Sequence, residues 1–376
     1  MAITTYALGD ALAVSLWARG LNREMRKGLS IAPLIGTGPN AIIQEKTEFK
    51  NAGDNITVGL RMQLRGAGRT ENEVLEGNEE SLTTYSQNLV LNEIRHAVRN
   101  RNEGTIDQQR VLFDLRTEAK AALKDWIAER ISLSFFLHAC GYTGGTYTHR
   151  SLTVDRSITQ YNFGNATTAP STNRKVFAAA GAGESNTADE GLESDDIFDL
   201  SLIDYAKEKA KTAGIPLRPA RIDGGEFYVM YLHPYQVTDL RRSTDTGQWM
   251  DFMRAAYTGR GKDNPLFNGA LGMYNGVILR ESEHVTPGVN SSTSATISTV
   301  RRAVFLGAQA ALMGMGTGFN SPAGEMGSNA FKWKEEEFDY GHELGVACNT
   351  LIGMKKSVFN SEDFGAITVS TYATTH

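Results

Sequence analysis

The pattern of apolar and polar positions predicts one long helix near the middle of the chain. Neither proline nor glycine interrupts the sequence between Thr105 and Gly141. At about 100° per residue, one face collects the apolar side chains Leu112, Leu115, Ala119, Ala122, Leu123, Trp126, Leu133 and Leu137. Thr105 and Gln108 have capping-box spacing, and glycine commonly ends a helix in a left-handed turn. We therefore predict a single helix over 105–141, with its apolar stripe packed on a sheet or another helix.

Charges of opposite sign flank this stripe. The acidic flank contains Asp114, Glu118, Asp125 and Glu129, and the basic flank contains Arg116, Lys120 and Lys124. Because the signs are segregated along the whole helix, the pattern favours a repeated lateral contact, acid to base, between neighbouring copies. The alternative is a solvated helix whose charges only keep it soluble, since exposed ion pairs contribute little to stability.

A second amphipathic helix is predicted at the N-terminus. Asp10 is a suitable N-cap and Gly28 ends the segment. The helix dipole favours cations in the last turns, where the sequence has Arg19, Arg23, Arg26 and Lys27. This helix packs on its own domain or reaches to a neighbour, and the residues leave both alternatives open.

Residues 45–92 have the alternation of a β-hairpin. Its polar tip contains Arg65 and Arg69 together with Glu71, Glu73, Glu76, Glu79 and Glu80. An isolated two-stranded ribbon is marginal in water, so support must come from another surface, which includes another copy of the chain. The alternative is a mobile surface hairpin.

The remaining segments mix helices and strands without regular βαβ alternation, which is typical of an α+β fold. Residues 142–194 are rich in Gly, Ser, Thr and Asn and predict a long excursion with little regular structure. A helix capped at Ser194 or Asp195 and stopped at Gly214 is predicted next. A buried strand is predicted over 225–233, followed by short helices over 234–243 and 248–257.

The C-terminal third is predicted to be mostly extended. Asn268–Gly269 and Asn275–Gly276 mark tight reversals between strands. A Ser/Thr-rich linker over 289–298 precedes one apolar strand over 301–316. Two long strands with turns are predicted over 332–371.

Composition limits the class of function. The chain has 376 residues, a net charge of −5 and a pI near 5.9, so bulk charge does not direct it to nucleic acid. The two distant cysteines, Cys140 and Cys348, give neither a disulfide framework nor a metal-ligand spacing, which fits a reducing cytosolic origin. We expect no secretory signal and no membrane span, because the N-terminal apolar run is short and contains Asp10.

Catalytic motifs are not matched. The segment 256–263 resembles a P-loop, but Ala256 replaces its first glycine and Asp263 its Ser/Thr. His342-Glu343 begins like a zinc-protease motif, yet Val346 occupies the second histidine position. His233 and His284 are interpreted as satisfied polar groups next to turns, and Cys140 as a buried thiol. We therefore expect no catalytic residues, cofactor or metal.

The order of the predicted segments resembles the major capsid proteins of tailed bacteriophages, and more specifically those of the N-four-like group. The phrases that carry this resemblance are FYVMYLHPYQVTDLR (227–241), NPLFNGALGMYNGVILRES (264–282), FLGAQAALMGMG (305–316) and the segment 338–371. The resemblance implies an α+β fold of the Hong Kong 97 type. Its implied divisions are an N-terminal arm (1–44), an E-loop hairpin (45–92), a peripheral domain with the spine helix and a long loop excursion (93–194), an axial domain (195–330) and closing strands of the peripheral domain (331–376).

The same resemblance implies a structural function. Hexamers and pentamers of the chain would close an icosahedral shell around packaged double-stranded DNA. Scaffolding, portal and decoration proteins are implied partners, with weak, non-specific DNA contact and no membrane. The basic residues of the N-terminal arm would face DNA or an adjacent subunit. The location would be the virion, after assembly in the cytoplasm of the host cell.

The implied contacts between subunits join the hairpin of one copy to the long helix of the next. The candidate residues are Arg61, Arg65, Arg69, Asp114, Glu118, Lys120, Lys124, Asp125 and Glu129. Some shells of this fold also join an E-loop lysine to an asparagine of a neighbour, and Lys46 or Lys50 with Asn349 or Asn360 are the candidates here. Two alternatives from other classes are a soluble enzyme with an unrecognised site in the middle domain and a decoration or adhesion protein, which would usually be richer in strands.

Overall fold

The structure is a computed structural model that describes residues 28–46, 55–71, 73–101, 104–179, 186–222, 224–243, 272–316 and 331–376. Several predicted features lie outside these residues. They are the N-terminal helix up to Lys27 with its four basic residues, Lys50, the helix over 248–257, the segment 256–263 and the turn Asn268–Gly269.

The elements alternate irregularly along the described chain, as an α+β fold requires. The helices with described bounds are α1 (Ile106–Arg110), α2 (Leu115–Ala139), α3 (Thr159–Asn162), α4 (Ser201–Thr212) and α5 (Pro234–Arg242). The strands are β1 (Ile35–Gly36), β2 (Ile43–Lys46), β3 (Asn55–Arg61), β4 (Thr84–Val90), β5 (Asn92–Arg101), β6 (Tyr147–His149), β7 (Leu152–Val154), β8 (Lys175–Phe177), β9 (Ala220–Ile222), β10 (Gly225–Leu232), β11 (Gly272–Tyr274), β12 (Val277–Glu281), β13 (Pro287–Val289), β14 (Thr296–Leu306), β15 (Ala311–Met315), β16 (Phe331–Phe338), β17 (Glu343–Lys356), β18 (Val358–Phe359), β19 (Glu362–Asp363) and β20 (Ala366–Tyr372).

The first sheet supports the long helix α2. Its strand order is β1-β2-β15-β17-β16, and β5 also pairs with β17. Side chains alternate across a strand, so one face of β17 buries Leu344, Val346 and Cys348 in the same core as Leu123 and Ile127 of α2. The prediction that the apolar stripe of the helix packs on a sheet is confirmed for α2.

The prediction of a single helix over 105–141 is wrong at its N-terminal end, because non-helical residues separate α1 from α2. Asp114 is the N-cap of α2, and its carboxylate accepts hydrogen bonds from the amides of Arg116 (3.0 Å) and Thr117 (3.2 Å). The side chain of Gln108 bridges the interruption, because it accepts from the amide of Leu115 and donates to the carbonyl of Phe113. A strong capping residue in an otherwise helical run therefore starts a new helix.

The predicted stop at Gly141 is confirmed. Gly141 has a φ of +61°, and its amide donates to the carbonyl of His138. The amide of Tyr142 donates to the carbonyl of Leu137. These two bonds form a Schellman motif, which satisfies carbonyls that the helix end would otherwise leave unpaired.

The second sheet forms the other half of the protein. Its order is β11-β12-β10-β14-β20-β8, with β13 beside β14 and β9 beside β10. Helix α4 packs Ile203, Ala206 and Ala210 into a core that contains Met230 of β10 and Phe305 of β14. The predicted buried strand β10, the short helix α5 and the Asn275–Gly276 reversal between β11 and β12 are confirmed.

Two predictions in this half are wrong. The helix predicted to start at Ser194 or Asp195 starts at Ser201, where Asp199 accepts from the amide of Leu202 at 3.1 Å. The preceding residues form a turn instead, since the carboxylate of Asp196 accepts the amide of Glu193 at 2.9 Å. The linker predicted over 289–298 is the reversal of the β13–β14 hairpin together with the first residues of β14.

The single apolar strand predicted over 301–316 is two strands in different sheets. The chain leaves the second sheet after Leu306, where the amides of Gly307 and Ala308 donate to the carbonyls of Gly365 and Arg218. Gln309 then adopts a left-handed conformation with a φ of +58°, and β15 continues in the first sheet. Apolar content is the same on both sides of this turn, so hydrophobicity alone does not reveal the change of sheet.

The predicted domain boundaries and the division into two sheets disagree at two places, at β15 and at the C-terminal strand β20. β15 lies within the predicted axial range but pairs in the first sheet, between β2 and β17. β16 and β17 join the sheet of the long helix, as predicted for closing strands, but β20 inserts between β14 and β8 of the second sheet. The last strand therefore ties the C-terminus to the half that the sequence assigned to residues 195–330.

A buried ion pair connects the two halves. The Nε atom of Arg302 in β14 lies 2.7 Å from Oδ2 of Asp189, and the two side chains are 8% and 3% exposed. Asp189 also accepts from the amide of Val289 at 2.8 Å, and Arg302 donates to the carbonyl of Gly141 at 3.0 Å. One guanidinium thus fixes the end of α2 to the second sheet.

Replacing this arginine is expected to destabilise the fold strongly. The substitution Arg302→Met removes the cation and leaves the Asp189 carboxylate buried, which costs about 3–5 kcal/mol. The matched control Arg221→Met breaks the exposed pair with Glu226 and should cost no more than about 1 kcal/mol. Denaturant unfolding of the purified full-length chain measures both, and equal midpoints for the two variants would contradict the assignment.

Candidate contact surfaces

The predicted hairpin is confirmed, and its base is anchored in the body of the protein. β3 and β4 pair antiparallel from Asn55 opposite Val90 to Arg61 opposite Thr84. Ile56 and Leu89 are buried with Leu312 of the first sheet. Gln87 donates to the carbonyl of Lys356 at 2.7 Å and accepts from the amide of Val358 at 2.9 Å. The base is therefore held by both apolar packing and hydrogen bonds.

The tip of the hairpin (residues 62–83) has no comparable support. Every described residue from 63 to 83 is exposed. Four large apolar side chains are among them: Leu64, Val74, Leu75 and Leu82, at 55%, 67%, 62% and 57% exposure. With five glutamates and two arginines the tip has a net charge of −3. Several exposed large apolar side chains among charged residues of one short segment are a feature of contact surfaces.

Internal hydrogen bonds give the tip a defined shape. The Glu80 carboxylate accepts the amides of Arg65 and Gly66, and these bonds lower the pKa of Glu80 below its usual value. Nη2 of Arg65 donates to the carbonyl of Gly214 at 3.2 Å, and Arg69 lies 3.6 Å from Glu73. Both arginines therefore have partners within the chain, whereas Arg61 lies exposed at the end of β3.

The first sheet has one face that α2 does not cover. On that face β5 presents Glu93, Arg95, Ala97, Arg99 and Arg101, β17 presents Glu343, Gly345, Ala347, Asn349 and Leu351, and β16 presents Lys332, Lys334, Glu336 and Phe338. All of these residues are exposed or half-buried, whereas their neighbours in β17 up to Ile352 are buried. We call this surface the open sheet face. Its five basic and three acidic residues give it a net charge of +2.

The centre of the open sheet face is lined by small residues. Ala97 lies opposite Ala347, and Arg99 lies opposite Gly345. Arg99 and Arg101 both pair with Glu343, and the Arg99 guanidinium lies 4.3 Å from the ring centre of Phe338. The side chain of Asn349 donates to Glu93 at 2.5 Å. Small residues form the floor, and long charged residues form the rim.

The charged residues predicted along the long helix have distinct surroundings. Asp114 caps α2, and Lys120 lies 2.7 Å from Glu335 of β16, which is also paired with Arg116. These cations lower the pKa of Glu335, although its burial acts in the opposite direction. The Lys124 ammonium is 3.5 Å from Asp125, and Glu129 is 3.6 Å from Arg150. Glu118 is exposed. An intersubunit role for the nine candidate residues stays a prediction.

A further exposed apolar patch lies at the far end of the first sheet. It contains Ile106, Leu112, Phe113 and Tyr340, at 63%, 107%, 51% and 109% exposure. Arg101 holds the elements that carry them together, because it contacts Asp107 of α1 at 3.8 Å and His342 of the β16–β17 turn at 2.8 Å. Sequence reasoning missed this patch because it placed Leu112 on the buried stripe.

The residues considered for covalent joining lie apart in the fold. Lys46 ends β2 opposite Gly314. Asn349 lies on the open sheet face, and Asn360 lies in the turn between β18 and β19. The lysine–asparagine bond stays a prediction.

The residues considered for catalysis or metal binding are buried or belong to turns and strands. Cys140 and Cys348 are buried, and burial raises the pKa of Cys348 to about 12. His342 lies in a turn and Val346 in a strand, so this segment does not form the helix that a zinc-protease motif requires. Among the described residues, no three His, Cys, Asp or Glu side chains are grouped to hold a metal ion. The described helices include none that is long and apolar enough to span a membrane.

This chain is similar in sequence and structure to phage capsid proteins. A model of the phage capsid protein family matches residues 5–375. The major capsid protein of Pseudomonas phage KPP25 is 30% identical, and the match covers 94% of each chain. The capsid of Ralstonia phage GP4 matches in structure with a TM-score of 0.74 and 28% identity, over 100% of this chain and 99% of that one. The capsid of cyanophage Pam1 shares the fold, with a TM-score of 0.68, 22% identity and coverage of 91% and 92%.

Two acidic residues of the long helix should behave differently when they are replaced. Asp114→Ala removes the N-cap of α2 and should lower the free energy of unfolding by about 1 kcal/mol. Asp125, whose side chain is 74% exposed, serves as the control, and Asp125→Ala should change stability by less than about 0.5 kcal/mol. Thermal unfolding of the two purified full-length variants tests this, and an unchanged Asp114→Ala variant would refute the capping role.

Proposed function

The chain belongs to the phage capsid protein family and is a structural protein of the phage shell; from this premise we propose that its copies associate as hexamers and pentamers that close an icosahedral shell around packaged double-stranded DNA. The enzyme alternative has no support, because the family and the relatives are capsid proteins. The observation that carries the assembly proposal is the exposed, acidic and apolar hairpin tip, whose apolar side chains remain exposed although Arg65 is hydrogen-bonded to Gly214.

The tip of one copy docks on the open sheet face of the next. Charge favours this pairing, since the tip has a net charge of −3 and the open sheet face one of +2. Such complementarity steers association and fixes its register more than it adds affinity. The contact has the opposite polarity to the one that the sequence suggested, with acids on the hairpin and bases on the receiving surface.

Shape favours the same pairing. The small residues Ala97 and Ala347 leave room for the leucine side chains of an incoming tip, whereas the ring of Phe338 lies over Gly345. Burying one large apolar side chain contributes about 1.5–3 kcal/mol, so the apolar contact, rather than the ion pairs, supplies most of the affinity. The basic rim of Arg95, Lys332 and Lys334 surrounds this contact and interacts with the glutamates of the tip.

The other exposed residues have secondary roles in the proposal. Arg61, Glu118 and Asp125 remain candidates for further contacts between neighbouring copies, as does the apolar patch around Leu112 and Tyr340. Since each exposed pair contributes about 1 kcal/mol or less, the shell depends on the sum of many repeated contacts. Each subunit in a closed ring both gives and receives a tip.

The finer partners follow from the same proposal. The protein is part of the virion, and we place its assembly in the cytoplasm of the host cell. Packaged DNA is contacted weakly and without sequence preference, because the net charge of −5 disfavours tight binding. Scaffolding, portal and decoration proteins are expected partners.

A charge-swap experiment tests the docking. Reversing the tip charges with Glu73→Lys, Glu76→Lys and Glu79→Lys should abolish assembly, as should reversing the rim with Arg95→Glu, Lys332→Glu and Lys334→Glu, because like charges then face each other. Combining the two sets in one chain should restore assembly. Negative-stain microscopy and sedimentation of the expressed full-length proteins measure shells and capsomers.

A matched control reverses three exposed acids elsewhere, with Glu193→Lys, Asp195→Lys and Glu208→Lys, and should assemble normally. Thermal unfolding of each variant separates failed folding from failed association. If all variants fold but the combined variant does not assemble, docking on the open sheet face is refuted. A wild-type chain that stays monomeric under every assembly condition, including co-expression with the other head proteins of its phage, would refute self-assembly itself.

A further inference from the structure

Three histidines lie together where the β6–β7 hairpin meets the second sheet. His149 ends β6, His233 follows β10 and His284 lies in the loop after β12. Since β10 and β12 are parallel neighbours, the residues that follow them lie at the same end of the sheet. Each of the three residues is only 8% exposed.

Two of these histidines form a direct hydrogen bond. Nδ1 of His284 lies 3.1 Å from Nε2 of His149, and the ring centres are 4.9 Å apart. Phe136 of α2 packs beside His284, with ring centres 6.1 Å apart. The bond therefore fastens the β6–β7 hairpin to the loop that follows β12, directly over the long helix. One ring must act as a donor and the other as an acceptor.

The third histidine depends equally on its neutral form. Nδ1 of His233 accepts the amide of Tyr235 at 3.2 Å, while the amide of His233 donates to Gln236 at 2.9 Å. This reciprocal pair forms the capping box at the start of α5. A proton on Nδ1 would remove the acceptor and expose the helix end.

The charged groups around the cluster include two glutamates, neither of which offers an unpaired carboxylate to stabilise a protonated histidine. On the adjoining loop, Glu283 is paired with Arg150 of the β6–β7 turn. On α2, Glu129 lies 3.6 Å from the same arginine. β14 contributes Arg301, whose guanidinium lies over Tyr235 of α5 at 5.5 Å. The two nearby carboxylates therefore already have a cation, and Arg301 adds positive charge.

We propose that the His149–His284 pair is an acid-operated latch, closed while the rings are neutral and opened when both are protonated. One added proton can be shared between the two rings. A second proton removes the acceptor and places two cations at hydrogen-bond distance, which repel each other. The β6–β7 hairpin then separates from the 282–286 loop, while the second sheet stays paired.

The direction of the pH dependence follows from burial. Burial is the largest cause that lowers the pKa of His284 to about 4 and that of His233 to about 3, and it also lowers the pKa of His149. Since these folded-state values lie below the unfolded value near 6.5, the contribution of the latch is complete above about pH 6.5. It is lost progressively as the pH falls toward about 4.

Hydrogen exchange of the purified full-length chain tests the latch. After correction for the intrinsic rates, peptides covering 147–154 and 282–286 should lose protection by about tenfold or more between about pH 7 and about pH 4.5, whereas β10 keeps its protection. The double variant His149→Gln/His284→Gln preserves polar, neutral side chains and should remove most of this difference.

Two control variants separate this cluster from other histidines. His342→Gln replaces an exposed histidine of the β16–β17 turn, and His138→Gln replaces a buried one on α2, whose pKa burial lowers to about 4. Both variants should retain the local opening in acid. Opening that persists in the double variant, or that is lost in His138→Gln, would overturn the proposal.

A measurement on the unmodified chain covers the case in which the double variant does not fold. Deuterium exchange at the imidazole C2 position, followed by mass spectrometry across a pH series, reports the titration of each histidine. The proposal requires His149 and His284 to titrate below about pH 6 and in step with the loss of amide protection at 147–154. Titration of both near the ordinary value, or without any accompanying opening, would refute the latch.

Discussion

A two-stranded ribbon has no interior of its own, so its apolar side chains need another surface to pack against. The base of the hairpin satisfies the constraint inside the chain, because Ile56 and Leu89 are buried against Leu312 and Gln87 is hydrogen-bonded on both sides. The tip has no such partner, yet it carries Leu64, Val74, Leu75 and Leu82 in exposed positions. Exposing four leucine and valine side chains to water costs free energy, and the proposed docking on a second copy would remove that cost.

The long helix holds together the body of the protein from which this arm projects. The first half of α2 buries only one stripe, whereas nearly every residue from Ile127 to Ala139 is buried. There the helix packs on the first sheet and also contacts the cluster of Leu133, Tyr142 and Val154. Its end is fixed to the second sheet by Arg302, which joins Gly141 and Asp189. The helix thus connects the two sheets while the arm projects from the first.

Local sequence patterns predicted the elements whose signals are local. Alternation identified the hairpin, and the segment 225–233 was predicted to be the buried strand that the structure shows as β10. Asn275–Gly276 identified a reversal, and Gly141 identified the end of the helix. The single-helix prediction failed at Asp114 because a good N-cap competes with helix continuation and Gln108 satisfies the interruption. The change of sheet after Leu306 could not be predicted, since it depends on carbonyls of Gly365 and Arg218 that are remote in sequence.

The surroundings of the candidate contact residues could not be predicted, because their partners are also remote in sequence. The sequence does not show that Lys120 pairs with Glu335, more than two hundred residues away. The open sheet face becomes visible only when β5, β17 and β16 are placed side by side, because its basic residues come from two distant segments. His149 and His284 are likewise brought together by the fold alone.

Burial separates the charges of this protein into two kinds with different consequences. Arg302–Asp189 and Lys356–Asp363 are almost completely buried, so breaking either leaves a charge without water and costs several kcal/mol. The exposed charges of the tip and of the open sheet face each contribute about 1 kcal/mol or less. The first kind keeps one subunit in a single conformation. In the proposed docking, the second kind would keep each contact between copies weak enough to break and re-form. A misplaced subunit could then leave before repetition around the shell makes the correct arrangement permanent.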